Sequence, residues 1–266
     1  MITMSTVTSF DLMNEAQKKG CAVPAFNIDN LESAMAVAQV MKETGLPVIV
    51  QTIPRTLNYG GIFTYPAMMS ALMKDCGTDY AMHLDHGSSA ELAKKCIDSG
   101  FTSVMYDGST LPFEENIAKT SAVTDFALKA GVSVEGELGT IGGKEEGDTD
   151  LETSYTKVEE AVEFAERTKV STLAIGVGTA HGVYKGVPKI NVKRIEEIHA
   201  AIDTPLVLHG ASGLSDEVLD KCIKAGISKI NFATELRQAY TLGIKKAFEN
   251  DPEAFDPKLY MPTAIE

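Results

Sequence analysis

Eight short apolar runs recur along the chain, each followed by a longer amphipathic stretch, and this alternation limits the possible folds most. The runs are bounded by Gly, Pro or polar residues, as buried parallel strands usually are. The predicted strands are 21–28, 47–52, 80–85, 103–108, 133–138, 172–177, 205–210 and 229–234. The predicted helices are 29–44, 62–76, 89–98, 113–130, 157–168, 192–202, 215–225 and 235–248. Eight strand-then-helix units without a linker predict an α/β fold, a single-domain (β/α)8 TIM barrel over residues 1–266.

Two connections refine this prediction. A doubly wound sheet is the alternative, but it normally has fewer strands and often a Gly-rich first turn. The turn after the first predicted strand, residues 27–30, contains no glycine. The connection over residues 139–156 is unusually long and is rich in Gly and acidic residues. We predict that it is a mobile active-site loop.

Charge and cysteine usage limit the partners and the compartment. The net charge of −13 argues against nucleic acid or a membrane surface as a partner, so an anionic substrate would need locally arranged positive potential. The four cysteines form no C-x-x-C pair, which fits a reduced, cytoplasmic protein. The sequence has no 18-residue apolar run and no leader-like start, so neither a membrane span nor a signal peptide is predicted.

Polar side chains lie at the carboxyl ends of the predicted strands, where a barrel keeps its active site. These residues are Asn27, Gln51, Asp85, His86, Asp107, Glu135, Glu137, His181, His209, Asn231 and Thr234. Three of the five histidines, His86, His181 and His209, belong to this set. Three imidazoles that converge there would make a zinc site with an open coordination position; the alternative is three loop histidines with local hydrogen bonds. His83, on the inward face of the third strand, is predicted to lie in the barrel core.

Several segments around these residues resemble the motifs of class II ketose-bisphosphate aldolases, in the family's order and over nearly the whole chain. They are LDHGSS at 84–89, MYDGS at 105–109, EGELG at 135–139, GG at 142–143, GTAHG at 178–182, HGASG at 209–213 and NFATE at 231–235. The resemblance implies a TIM-barrel lyase of carbohydrate metabolism, glycolysis included. Such an enzyme reversibly cleaves a phosphorylated ketose, such as tagatose- or fructose-1,6-bisphosphate, to dihydroxyacetone phosphate (DHAP) and an aldehyde.

The resemblance also implies the metals. His86, His181 and His209 match the ligands of a catalytic Zn²⁺. Asp107 and Glu137 match positions that bind a second or alternate divalent ion in some members; a buried hydrogen-bonded layer is the alternative. A Na⁺ or K⁺ ion is expected beside the DHAP phosphate. The chemistry agrees, because a Lewis acid stabilises the negative charge that retro-aldol cleavage leaves on the DHAP half.

Catalytic and binding roles follow from the same resemblance. Asp85 is the acid/base acting on the C4 oxygen, and Glu145 matches a loop glutamate that moves the C3 proton, with Glu146 as the alternative. The predicted substrate contacts are Asn27, Arg55, Gly182, Gly210, Ala211, Ser212, Asn231, Ala233 and Thr234. Backbone N–H groups after the sixth and seventh strands, with nearby hydroxyls, would form an anion nest for a phosphate.

Two positions depart from the fructose-bisphosphate pattern. Ala233 stands where many fructose-bisphosphate members have an aspartate, which is more typical of the tagatose-bisphosphate branch. Arg55 is similar to the branch that acts on a deoxy-keto-gluconate phosphate. It would meet the distal anion, a phosphate or a sulfonate as in sulfofructose phosphate; the alternative is a solvated loop arginine.

Other functions compete with this prediction. A class I aldolase needs a Schiff-base lysine near a strand top; Lys229 begins the last predicted strand, at the wrong end, and Lys185 is the only near candidate. A non-catalytic sugar-phosphate-binding barrel would need neither Asp85 nor Glu145, and both are present. The resemblance also implies a homodimer or homotetramer.

Overall fold

Eight parallel strands close into a barrel in the computed structural model, which describes residues 6–74, 76–143, 154–184 and 186–266. The barrel strands are β1 (Val23–Asn27), β2 (Val48–Thr52), β3 (Tyr80–Leu84), β4 (Ser103–Tyr106), β5 (Ser133–Leu138), β7 (Thr172–Ile175), β9 (Leu206–Leu208) and β10 (Ile227–Phe232). Two further short strands, β6 (Gly142–Gly143) and β8 (Ala180–His181), pair with each other in parallel. The order β1-β2-β3-β4-β5-β7-β9-β10, closed back onto β1, confirms the predicted TIM barrel.

Eleven α-helices connect and surround these strands in the described ranges. They are α1 (Ser9–Lys18), α2 (Leu31–Thr44), α3 (Pro54–Gly60), α4 (Thr64–Met73), α5 (Ala90–Asp98), α6 (Phe113–Ala127), α7 (Val158–Thr168), α8 (Val192–Ala201), α9 (Asp216–Lys224), α10 (Thr234–Asn250) and α11 (Pro257–Ile265). A 3₁₀ turn, Leu128–Ala130, continues α6. Helices α1, α3 and α11 were not predicted. In the part of the chain that the structure covers, no helix combines the length and apolar character needed to cross a membrane.

Alternation along each strand separates two apolar regions. On β3, Tyr80, Met82 and Leu84 belong to the large cluster between the strands and the helices. Ala81, between them, belongs to a small cluster inside the barrel. Because successive side chains of a strand point to opposite faces, His83 also points into the barrel, as predicted.

Helix α1 covers the amino-terminal end of the barrel. It packs against β1, β3 and β10. Its apolar face joins the small interior cluster, which consists of Leu12, Met13, Ala16, Val23, Ala25, Ile49, Ala81, Ala174 and Val207. The helix begins with a capping box in which Thr8 accepts a hydrogen bond from the Asp11 N–H and Asp11 accepts one from the Thr8 N–H. The barrel is therefore plugged at this end, and its opposite end is left for chemistry.

Candidate active site

Three histidines meet at the carboxyl end of the barrel. His86 follows β3, His181 lies in β8 and His209 follows β9, and one ligand nitrogen from each lies within 4.8 Å of the others. His86 has a φ of 48°, an uncommon value for a residue with a side chain. At Gly143, which pairs with His181, an added Cβ would lie 2.2 Å from the His181 carbonyl oxygen. The paired glycines 142–143 thus let β6 approach the histidine closely.

The hydrogen bonds of two of these rings define which nitrogens face each other. His86 Nδ1 lies 2.8 Å from Asp107 Oδ2, and His209 Nε2 lies 2.7 Å from Glu135 Oε1. A carboxylate only accepts hydrogen bonds, so these two nitrogens carry the protons. When both rings are neutral, as metal binding requires, the remaining nitrogens, His86 Nε2 and His209 Nδ1, carry the lone pairs, and they lie 3.0 Å apart. Two lone pairs at this distance repel each other unless a cation lies between them.

The three imidazoles fit a divalent metal ion. Tetrahedral Zn²⁺ with Zn–N bonds of about 2.0–2.1 Å holds its ligand nitrogens roughly 3.3 Å apart. The 3.0 Å separation of His86 Nε2 and His209 Nδ1 is close to this value. Burial lowers the pKa of His209, with Glu135 opposing, which keeps its ring in the neutral form that binds metals. Three protein ligands leave one position for substrate.

Two acidic residues adjoin this cluster. Asp107 and Glu137 form a second group of possible metal ligands with His86, with donor atoms within 4.8 Å of one another. Glu137 Oε2 lies 3.9 Å from both His86 Nδ1 and His209 Nδ1. Burial opposes the ionisation of Asp107, but hydrogen bonds from His86 and Ser109 hold its pKa well below its usual value. Asp107 therefore orients His86, and its position also fits the predicted second or alternate metal site.

Asp85 is held in a fixed orientation by three amides. Its Oδ2 accepts hydrogen bonds from Asn27 Nδ2 at 2.9 Å and Gln51 Nε2 at 3.1 Å. Its Oδ1 accepts one from Asn231 Nδ2 at 3.2 Å and lies 4.0 Å from His86 Nε2. The carboxylate is almost fully buried and lines the pocket at the barrel mouth. A rigid carboxylate beside the three histidines is an arrangement suited to positioned proton transfer.

The pocket at the barrel mouth brings most predicted substrate contacts together. It is lined by Asn27, Asp85, His181, Gly182, Gly210, Ser212, Asn231, Ala233, Thr234 and Arg237. Helix α10 begins at its edge, with Ala233 as the N-cap and no side-chain cap. A helix N-terminus favours an anion. Ala211, also a predicted contact, is instead fully buried in the outer apolar cluster.

Arg55 lies outside this pocket, in a neighbouring one. That neighbouring pocket is lined by Asp29, Asn30, Ile53, Arg55, Thr56, Tyr59 and Arg237. Arg237 lines both pockets and pairs with Asp29 at 2.7 Å. Arg55 is exposed in the first turn of α3. Two guanidinium groups thus line the neighbouring pocket, and that of Arg237 also lines the pocket at the barrel mouth.

A layer of titratable residues lies inside the barrel below the pocket. Glu135, His83 and Lys229 are fully buried. Burial opposes the ionisation of Glu135, but Lys229, His209 and His83 hold its pKa well below its usual value. Burial, with Lys229 adding to the effect, lowers the pKa of His83 to about 3, so its ring is neutral. This layer connects the barrel interior to the candidate metal ligand His209 through Glu135.

Some functional positions were missed or cannot be placed. Glu145 and Glu146 lie outside the described residues, as do Lys185 and most of the loop predicted over 139–156. Arg237 was missed, although an arginine in the first turn of a helix is an unusual choice that points to a local anion. Tyr184 was also missed: its hydroxyl donates to the Gly210 carbonyl at 2.7 Å and accepts from the Ala180 N–H at 3.0 Å. It joins the loops that carry the pocket glycines.

Comparisons with known proteins agree with this geometry. The family profile for "Fructose-bisphosphate aldolase class-II" matches residues 7–266. The YdjI aldolase from Escherichia coli K12 is 30% identical, with a TM-score of 0.85 over 98% of this chain and 93% of that one. A Coccidioides immitis protein assigned as a fructose-1,6-bisphosphate aldolase is 26% identical, with a TM-score of 0.88 over 97% and 90%. The fructose-bisphosphate aldolase of Campylobacter jejuni shares the fold at 23% identity, with a TM-score of 0.81 over 98% and 92%.

Proposed function

Because the chain belongs to the class II fructose-bisphosphate aldolase family, we propose that it is a Zn²⁺-dependent lyase that reversibly cleaves a phosphorylated ketose to DHAP and an aldehyde. The observation that carries this proposal is the convergence of three imidazoles beside a buried carboxylate at one barrel mouth. We assign zinc because three neutral imidazoles with an open position are its usual catalytic ligand set. Asp107 and Glu137 are the candidate ligands of a second divalent ion, and a Na⁺ or K⁺ ion is expected near the phosphate.

Asp85 is the proposed acid/base. The ion bound by the three histidines supplies Lewis-acid stabilisation of the negative charge that develops on the DHAP half. Asp85 removes the C4 hydroxyl proton during cleavage and returns it during condensation. Its three amide donors and its 4.0 Å separation from His86 Nε2 keep it beside the metal ligands throughout. Glu145, in the long loop, is the proposed group that moves the C3 proton.

The DHAP phosphate is proposed to bind at the part of the pocket that is lined by glycines. Gly182 and Gly210 expose backbone N–H groups, Ser212 and Thr234 add hydroxyls, and the N-terminus of α10 adds its dipole. Asn231 lines the same wall. Fixed local dipoles of this kind bind an anion although the chain has a net charge of −13. A small phosphorylated sugar is therefore the proposed partner, not a nucleic acid or a membrane.

The aldehyde half of the ketose is proposed to bind at the barrel mouth near Ala233, with its distal end toward Arg55. Ala233 lines the pocket without a side-chain acceptor, so discrimination between hydroxyl stereoisomers is expected to be weak. We propose that tagatose-1,6-bisphosphate is cleaved at least as well as fructose-1,6-bisphosphate. Arg55, with Arg237 nearby, is the proposed contact of the distal anion. A deoxy-keto-gluconate phosphate or sulfofructose phosphate would place its own distal anion there and is the second candidate.

Assembly and location are also proposals. We expect a homodimer or homotetramer, which light scattering at micromolar concentration tests. The four cysteines, at positions 21, 76, 96 and 222, are free thiols, which suits a reducing compartment such as the cytoplasm. A fluorescent fusion would test that location.

A substrate panel tests the proposed function. Metal-replete protein should release DHAP from at least one of fructose-1,6-bisphosphate, tagatose-1,6-bisphosphate, a deoxy-keto-gluconate phosphate and sulfofructose phosphate. Chelation should abolish the release and Zn²⁺ or Co²⁺ should restore it. Full activity after exhaustive chelation, or inactivation by borohydride with substrate, would favour a Schiff-base enzyme. Release from none of them would favour a non-catalytic sugar-phosphate-binding barrel. A preference for fructose-1,6-bisphosphate over tagatose-1,6-bisphosphate of more than about tenfold, about 1.4 kcal/mol, would contradict the proposal that Ala233 makes stereochemical discrimination weak.

A further inference from the structure

A buried ion pair lies directly behind one metal ligand. Lys229 Nζ donates to Glu135 Oε2 at 2.8 Å, and both side chains are fully buried. The other carboxylate oxygen, Glu135 Oε1, lies 2.7 Å from His209 Nε2. The lysine therefore binds one oxygen of the carboxylate and leaves the other to the histidine.

This arrangement determines the tautomer of His209. A carboxylate oxygen is only an acceptor, so the His209 Nε2 beside it must carry the proton. The lone pair is then on Nδ1, the atom that faces His86 Nε2 at 3.0 Å and the metal cluster. Lys229 cannot accept a hydrogen bond, so it keeps Glu135 Oε2 engaged and prevents the carboxylate from turning.

A series of polar contacts extends from the ion pair to the closed, amino-terminal end of the barrel. Glu135 Oε2 lies 3.6 Å from His83 Nε2, and His83 Nδ1 lies 2.7 Å from the Ser103 hydroxyl. Ser103 is in turn 2.6 Å from the hydroxyl of Ser9 on α1. All of these side chains are fully buried, so the orientation of Glu135 is set by rigid neighbours on several elements.

We propose that Glu135 and Lys229 are positioning residues for His209: together they fix its ring orientation and its Nε2–H tautomer, so that Nδ1 is presented to the metal ion. Neither residue touches substrate in this proposal. It rests on the proposed function, since it requires that the three histidines bind a metal. Outer partners of this kind typically raise metal affinity by about 10- to 100-fold.

Zinc affinity measured by chelator competition on the full-length apoprotein tests the inference. The double variant Glu135→Met with Lys229→Met removes both charges and keeps the volume, so its thermal unfolding midpoint should stay near that of the wild type. It leaves the His209 N–H without an acceptor. We therefore expect its Zn²⁺ affinity to fall at least tenfold. The same double substitution at Glu217 and Lys221, an exposed pair on α9, is the matched control and should leave affinity unchanged.

Glu135→Gln keeps the test decisive if the double variant does not fold. Lys229 would attract the amide oxygen, so the amide N–H would face His209 Nε2 and force the proton onto Nδ1. Zinc affinity should again fall at least tenfold. A smaller loss in a folded variant would mean that the ion pair only fills the core, and the inference would be wrong. A wild-type protein that binds no Zn²⁺ would overturn the proposed metal centre as well.

Discussion

The barrel interior has a lower half, at the amino-terminal ends of the eight strands, and an upper half, at their carboxyl ends. The two halves lie on the same strands but contain different side chains. At the amino-terminal end the inward positions are mainly apolar, among them Ala25, Ile49 and Ala81, and α1 covers them with Leu12 and Met13. At the carboxyl end the inward positions are polar or charged. They include Asn27, Gln51, Asp85, Glu135, His209 and Asn231. All of these side chains are buried in both halves, so burial alone does not explain the difference.

We interpret this difference as a separation between side chains that stabilise the barrel and side chains that carry out its chemistry. Apolar side chains stabilise a core without needing partners, whereas a buried polar group costs free energy unless it is hydrogen-bonded. The upper half contains many such groups, and they hold the Asp85 carboxylate and the His86 and His209 imidazoles in a fixed arrangement. We therefore expect substitutions in the lower half to change mainly stability, and substitutions in the upper half to change mainly catalysis.

The largest effect is expected in the upper half, at Asp85. Asp85→Ala should lower kcat by about 10²–10⁴-fold, the usual contribution of a positioned acid/base. The three imidazoles are unchanged, so zinc content should stay near that of the wild type. Steady-state kinetics with metal analysis checks both results. Asp98→Ala, at the exposed end of α5, is the control and should keep full activity; an Asp85 variant with comparable activity would remove the acid/base role.

The lower half should respond in the opposite way. Met13 is fully buried in the plug, and Met13→Ala should lower the free energy of unfolding by about 2–5 kcal/mol. The kcat of the folded variant should remain near the wild-type value. Urea titration and kinetics on the same sample give both quantities, with Met35→Ala on α2, which is 37% exposed, as the control. If Met13→Ala reduced kcat as much as Asp85→Ala, the two halves would not be separable.

His83 lies at the boundary between the halves and should make stability depend on pH. Its pKa is lowered to about 3 from an ordinary 6.5, mainly by burial, so the unfolded chain binds a proton that the native state does not. Stability is therefore full above pH 6.5 and falls as the pH decreases toward 3, by about 1.4 kcal/mol per pH unit for one proton. His83→Asn should reduce the slope by that amount between pH 4.5 and 6.5, because the contribution of the carboxylates is shared by both proteins and cancels in the comparison. Equal slopes in urea titrations would contradict this.

The smallest effect is expected at the exposed rim, at Arg55. Arg55→Ala should raise KM for the ketose about tenfold, because an ion contact with a distal anion contributes about 1.4 kcal/mol or more. Inhibition by DHAP analogues should be nearly unchanged, since those ligands lack the distal anion. Arg167→Ala, on α7 with Glu114 and Glu163 as its partners, is a control arginine. Equal weakening of ketose and DHAP-analogue binding would place Arg55 outside the distal site.

Much of the fold and of the three-histidine cluster could be predicted from the sequence, because the short apolar runs indicate both the strands and the positions of their carboxyl ends. Buried parallel strands are short apolar runs, and the barrel rule places chemistry at their carboxyl ends. His86, His181 and His209 were identified on that basis, and the structure brings them together. The missed helix α1 carries a recognisable capping box at Thr8 and Asp11, but it precedes the first predicted strand and so belongs to no strand-then-helix unit.

The rest depends on contacts between distant segments, which a linear pattern does not contain. Lys229 was interpreted as lying at the wrong end of its strand; in the structure β10 begins at Ile227, and Lys229 reaches the buried Glu135, 94 positions away. Arg237 belongs to a helix, yet its position at two pockets depends on where α10 begins. The three amides around Asp85 come from three different strands, so only the closed barrel brings them together.

Anomalous diffraction at the zinc edge, from crystals of the wild-type protein soaked in Zn²⁺, tests the central claim most directly. The claim is that the polar upper half of the barrel is a metal-dependent catalytic site. It predicts a strong peak about 2.0–2.1 Å from His86 Nε2, His209 Nδ1 and one nitrogen of His181, with a fourth position open. No peak among these three nitrogens would contradict it.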